Sequence, residues 1–255
     1  MLRKETPSPT PEDVATIIID SSFVRTKAEC VYEKLMNLSG GFKAAIDKFS
    51  GKTPSGGHLK FVVVPNIPST TPGTITTAVT EPPSNYVTVI KFNNEYLNMG
   101  FSNLTYARTM IHEAIHAEMF RKLLSLSQTP NLDLSYETIK KLANDFNGIY
   151  DYFTRYFYNE YVEIFNADKD LFNKKQKYFE GQMIDWQHQM MAAHYIKTMG
   201  KMLHDFCGGE YTLEQCEMFS FSGLTNTVAW DDVKNKEEVK SLINKIISNG
   251  SKNCP

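Results

Sequence analysis

The chain has 255 residues, 42% of them hydrophobic and 22% charged, with 27 basic against 29 acidic side chains. That is the composition of an ordinary globular protein, long enough to bury a core without disulfides or a metal as staples. The near-balanced charge argues against nucleic acid and against a membrane surface as partner, and no stretch approaches the roughly 20 apolar residues of a membrane helix.

The start, Met1 to Asp13, is Pro-rich and carries no apolar stretch of the signal-peptide type. It reads as a flexible segment, with residues 14–255 expected as a single domain. A cytoplasmic start and the mature part of an exported chain both fit, so no compartment is assigned. Val14 to Ile19 is a short β-branched run. Lys27 to Leu38 reads as a helix stopped by Ser39-Gly40-Gly41, and Phe42 to Phe49 as a second short helix. Leu59 to Pro65 and Tyr86 to Phe92 have the β-branched content of strands. The Thr/Pro-rich stretch between them, Thr70 to Asn85, reads as an irregular or hairpin excursion. Ser102 or Asn103 can cap a helix reaching about Leu126. Further helices are expected over Ser135 to Tyr156, Tyr178 to Phe206 and Lys236 to Ser248, with Phe219, Phe221 and Trp230 in packed loops. Strands first and helices after give an α+β class: a small N-terminal sheet followed by a mostly helical C-terminal half.

The segment Thr109 to Glu118 contains His112-Glu113-Ala114-Ile115-His116. Residues four apart stand one above the other on a helix, so both imidazoles can reach one ion. Glu113 is turned about 100° from His112, too far round for a ligand but within reach of a metal-bound water. Chance alone gives this pattern in roughly one chain in a hundred of this length. The bland alternative is two helix histidines with ordinary hydrogen bonds. The apolar Met110, Ile111, Ala114 and Ile115 on the other side favour a buried, metal-carrying helix.

Zinc wants a third protein ligand and keeps a fourth position for water. Met119 and Lys122 stand where a third histidine motif would continue, so the ligand lies further on. His188 is the first candidate. It shares one helical stripe with Asp185, Met191, Ala192 and Tyr195, and Asp185 can support it from one turn away. His194, six positions on, points elsewhere, and His204 is remote along the axis. Glu160, in Asn159-Glu160, is the rival, although Ile164 stands where a supporting Asp is expected. Tyr195 is a candidate to steady an oxyanion.

The H-E-x-x-H helix after strands resembles the zincin metallopeptidases. The segments HEAIHAEMF, QHQMMAAHYI and FSGLTNTVAW are similar to domains described as zinc peptidases in Bacteroidetes-type bacteria, over roughly residues 55 to 232. The resemblance implies a zincin-like fold, a bound Zn²⁺, His188 as third ligand and a peptide or protein substrate. It also implies that the strand at Tyr86 to Phe92 is the edge that pairs with substrate.

Other signals carry less. Ser50-Gly51-Lys52-Thr53 lacks the leading glycine of a phosphate loop, since Ile46 occupies that place. The four cysteines, Cys30, Cys207, Cys216 and Cys254, include no C-x-x-C pair, so neither a zinc ribbon nor the SprT-like arrangement fits. Cys207 and Cys216 can either close a small disulfide loop or remain thiols. The rival functional readings are a catalytically inactive zincin-like binding module of a larger surface or secreted protein, and a metal-dependent hydrolase of non-peptide amides.

Overall fold

A computed structural model describes residues 16–50, 57–69, 73–127, 129–134, 138 and 186–254. The chain forms two compact units, Met1–Leu132 with Ser251–Pro255, and Asp133–Gly250. The architecture is mixed α/β, with one small sheet and several helices.

The first unit is built on strands β1 (Ile17–Ile19), β2 (His58–Val64), β3 (Ala78–Ser84) and β4 (Val87–Asn93), in the spatial order β1-β2-β4-β3. β1 and β4 run parallel to β2, and β3 runs antiparallel to β4. On β2 and β4 buried positions alternate with half-buried ones: Leu59, Phe61 and Val63, then Thr88, Ile90 and Phe92. That period of two marks a sheet with one fully covered face.

Helices α1 (Lys27–Leu38), α2 (Gly40–Asp47) and α4 (Asn103–Ser127) supply the cover, and α3 (Asn94–Leu97) is a single turn between β4 and α4. Thr26 and Ser39 cap α1 and α2 by accepting from Glu29 N–H and Phe42 N–H. Phe23, Tyr32 and Phe61 form an aromatic cluster, with Tyr32 and Phe61 ring centroids 5.1 Å apart. The chain returns to this unit at its end. Ser251 C=O accepts from Asn103 N–H (2.7 Å), and a Cys30–Cys254 disulfide joins the returning segment to α1.

The Thr/Pro-rich stretch is therefore not irregular throughout, because it contains β3. Pro82 and Pro83 disguise the strand. They are tolerated since β3 lies at the sheet edge, where a proline forfeits no ladder bond on the outer side, and the register shifts between Glu81 and Ser84. The strand at Tyr86 to Phe92 also departs from expectation. As β4 it is paired on both sides and cannot accept a further strand. β3 is the edge.

The second unit contains, among the described residues, α5 (Trp186–His194), α6 (Ile196–Cys207), α7 (Leu213–Ser220), α8 (Val228–Asp231) and α9 (Lys236–Asn249). The expected helix over Tyr178 to Phe206 is broken at Tyr195, although no Gly or Pro marks the place. Its first residues, and the expected helix over Ser135 to Tyr156, lie outside the described residues apart from Thr138. Phe219 and Trp230 lie on helices rather than loops, and Trp230 packs on Phe221 with centroids 5.6 Å apart.

Candidate metal centre

α4 carries the motif, and its burial is unusual. From Asn103 to Phe120 every side chain but Arg108 is buried, polar ones included. A helix without a polar face belongs in a core. Its start is fixed by Ser102, whose hydroxyl accepts from Thr105 N–H (3.2 Å). Farther along, Glu118 accepts from Lys48 Nζ (2.9 Å) and Arg121 Nε (2.8 Å), tying α4 to the end of α2. Burial opposes ionisation of Glu118, but these hydrogen bonds more than offset it and hold the carboxyl below its ordinary value.

His112, Glu113 and His116 are only 5%, 6% and 9% exposed. The two imidazoles turn their Nε2 atoms toward each other at 3.1 Å, with ring centroids 4.8 Å apart. Two nitrogens bound to one tetrahedral zinc at its usual bond length are separated by ~3.3 Å. The observed spacing fits that requirement closely.

His188 lies on α5 and is half-buried, next to the buried Gln189, Met190, Met191 and Ala192. One ring nitrogen of each of His112, His116 and His188 lies within 4.8 Å of the others. Among the described residues this group of three can hold a metal ion. The donor set suits one: three imidazoles bind zinc, copper, iron or nickel, and the structure does not select among them. His194 closes the same helix on its exposed side, as the helical phase predicts. Tyr195 sits half-buried at the junction of α5 and α6, its N–H donating to Met191 C=O (2.9 Å). Glu160 and Asp185 lie outside the described residues.

Glu113 has a partner that sequence reasoning missed. Thr80, on β3, donates its hydroxyl to Glu113 Oε2 (2.8 Å), and the same hydroxyl oxygen lies 3.0 Å from the Glu113 carbonyl. Thr80 is itself 9% exposed. The available signal was the alternation of Ala78 and Thr80, which puts both on the covered face. Arg108 adds a positive charge nearby. Burial lowers its guanidinium from the ordinary value, and attraction to Tyr96 and Glu113 works against that.

Of the two expectations for Cys207 and Cys216, the structure shows the second, two thiols. Cys207 and Cys216 are not bonded, and the disulfide joins Cys30 to Cys254, 224 positions apart. No helix among the described residues is long and apolar enough to cross a membrane. No protein-family model, curated protein or solved structure matches the chain.

Proposed function

We propose that the protein is a zinc-dependent metallopeptidase in which His112, His116 and His188 hold the metal and Glu113 is the general base. The observation that carries this reading is the buried pair of facing Nε2 atoms on one helix, with a third imidazole near and a carboxylate at the intervening position. A zinc ion bound by three imidazoles supplies Lewis acidity and a water of lowered pKa.

The chain's own residues do the rest. Glu113 accepts the proton of the attacking water and returns it to the leaving amine. Thr80 fixes one carboxylate oxygen, so the base does not swing away from its work. Tyr195 is assigned the stabilisation of negative charge on the substrate carbonyl oxygen.

A peptide, rather than a small amide, is favoured by β3. Asn93 N–H donates to Thr77 C=O (3.1 Å). By the alternation of an antiparallel ladder, the backbone groups of Ala78 and Thr80 then face the outer side of the strand. No strand among the described residues pairs there. An extended peptide added to this edge gains main-chain hydrogen bonds beside the residue that anchors Glu113.

The test combines elemental analysis with turnover of a peptide library. Wild type should hold one zinc and cleave peptides. Glu113→Gln should keep the zinc and lose roughly 10²- to 10⁴-fold in rate. Absence of zinc, with none regained on dialysis, would leave the binding module as the better reading. Cleavage restricted to small amides would favour the non-peptide hydrolase.

A further inference from the structure

The polypeptide passes between its two units twice, after Leu132 and again at Gly250. The second passage is short. Helix α9 ends at Asn249, Gly250 N–H still donates to Ile246 C=O (3.3 Å), and Ser251 already belongs to the first unit. Gly250 alone stands between α9 and the returning segment.

That segment has little to hold it besides its covalent bond. Ser251, Lys252 and Asn253 are exposed, and only Cys254 is buried. Ser251 C=O accepts from Asn103 N–H (2.7 Å), Asn253 Oδ1 accepts from Lys34 Nζ, and the Asn103 side chain meets Asn253. Hydrogen bonds that can be exchanged for water hold weakly, and a stretch with little buried apolar surface opens at low cost. The Cys30–Cys254 disulfide is what fixes the attachment.

The attachment bears on the metal ligands. His112 and His116 belong to the first unit and His188 to the second. Within the second unit, packed helices lead from the returning segment to that histidine. α9 packs on α7, α7 on α6, and α6 on α5, which carries His188. The contact of α6 with α7 is tight, since a Cβ added to Gly200 would stand 2.8 Å from Glu217 Cα. An imidazole whose unit is tethered at both ends has a higher effective concentration at the other two ligands than one tethered at a single end.

We propose that the Cys30–Cys254 disulfide is a redox clasp on the metal centre: closed, it keeps the third ligand in reach, and reduced, it frees the returning segment and weakens the hold on the metal. This rests on the three-histidine reading above. The reductant is a dithiol. Its first thiolate attacks the sulfur of half-buried Cys30, the more exposed half of the bond, and forms a mixed disulfide. Cys254 leaves as a thiolate and takes a proton from solvent. The second thiolate of the reductant then attacks its own partner sulfur and expels Cys30, which is protonated in turn. The protein gains two thiols while the dithiol loses two protons and two electrons and becomes a disulfide.

The test measures zinc affinity of the full chain by competition with a chromogenic chelator. Oxidised wild type is compared with wild type reduced by dithiothreitol and then freed of it without air, and with a double variant, Cys30→Ser with Cys254→Ser. The serine variant excludes zinc capture by the freed thiols. Both open forms should bind zinc about tenfold more weakly than the oxidised protein. In a His188→Ala background the state of the disulfide should make no difference. The proposal is overturned if oxidised and open forms bind zinc equally, or if opening weakens binding as much without His188 as with it. Open forms that are unfolded even in the cold would also overturn it, because a clasp must release without loss of the fold. Absence of zinc from the oxidised protein is a different result: it removes the three-histidine reading and this inference with it.

Discussion

In the proposed mechanism the general base works only if its carboxylate stays near one position, and at the residue scale Thr80 is the residue that holds Glu113. Its hydroxyl reaches Glu113 from another strand of chain, 33 positions away in sequence. Thr80→Val keeps the shape and removes the donor. We expect peptide turnover to fall by about tenfold, the worth of one hydrogen bond to a charged group, with zinc content and KM little changed. Thr80→Ser should restore the rate, and failure of that rescue would mean the methyl contact, not the hydroxyl, matters. Glu118 makes a second test. Its carboxyl is held below the ordinary value of 4.5, so its contribution to stability is full above that pH and disappears as pH falls through the folded-state value. Glu118→Gln should cost about 2 kcal/mol at pH 7, read by denaturant unfolding, and the difference from wild type should shrink steadily in acid.

At the scale of elements, α4 and the strands before it were readable because their patterns are local. His112 and His116 announce themselves by spacing, and Ser102 by its hydroxyl ahead of an apolar stretch. The separation of His188 from His194 also came from helical phase, and their burial agrees with it. β3 was hidden for an equally physical reason. Two prolines and a run of threonines look like a turn, and only the sheet reveals that this strand has an outer side needing no donors. The break at Tyr195 had no local signal either, since no Gly or Pro stands there. Gly200 shows how tight the packing of α6 on α7 is. Gly200→Ala places a methyl within 3 Å of the Glu217 backbone, so despite the gain in helix propensity it should destabilise the protein by about 1 to 3 kcal/mol. A neutral or stabilising result in thermal unfolding would show that α6 and α7 can part at little cost.

At the scale of the whole molecule, the chain leaves the first unit at Leu132 and rejoins it at Ser251. Sequence could not pair the cysteines, because a contact between residues 224 positions apart leaves no local trace. In the chain-entropy picture a loop of that length is worth at most about 5 kcal/mol, and such a bond suits an oxidising compartment. Cys254→Ser, or reduction of the wild type, should lower the melting temperature of the folded protein by at least about 5 °C. An unchanged melting curve would assign the returning segment's hold to its hydrogen bonds instead. That returning segment also has a bearing on the order of events during synthesis. Asn103 opens the helix that bears the two histidines, and its side-chain partner Asn253 is 150 residues downstream. At ordinary ribosomal speeds the gap is roughly 8 to 30 s. Throughout that interval the histidine helix has its local Ser102 cap but lacks the contacts of the returning segment, so the histidine-bearing unit is completed only after the intervening unit has been made.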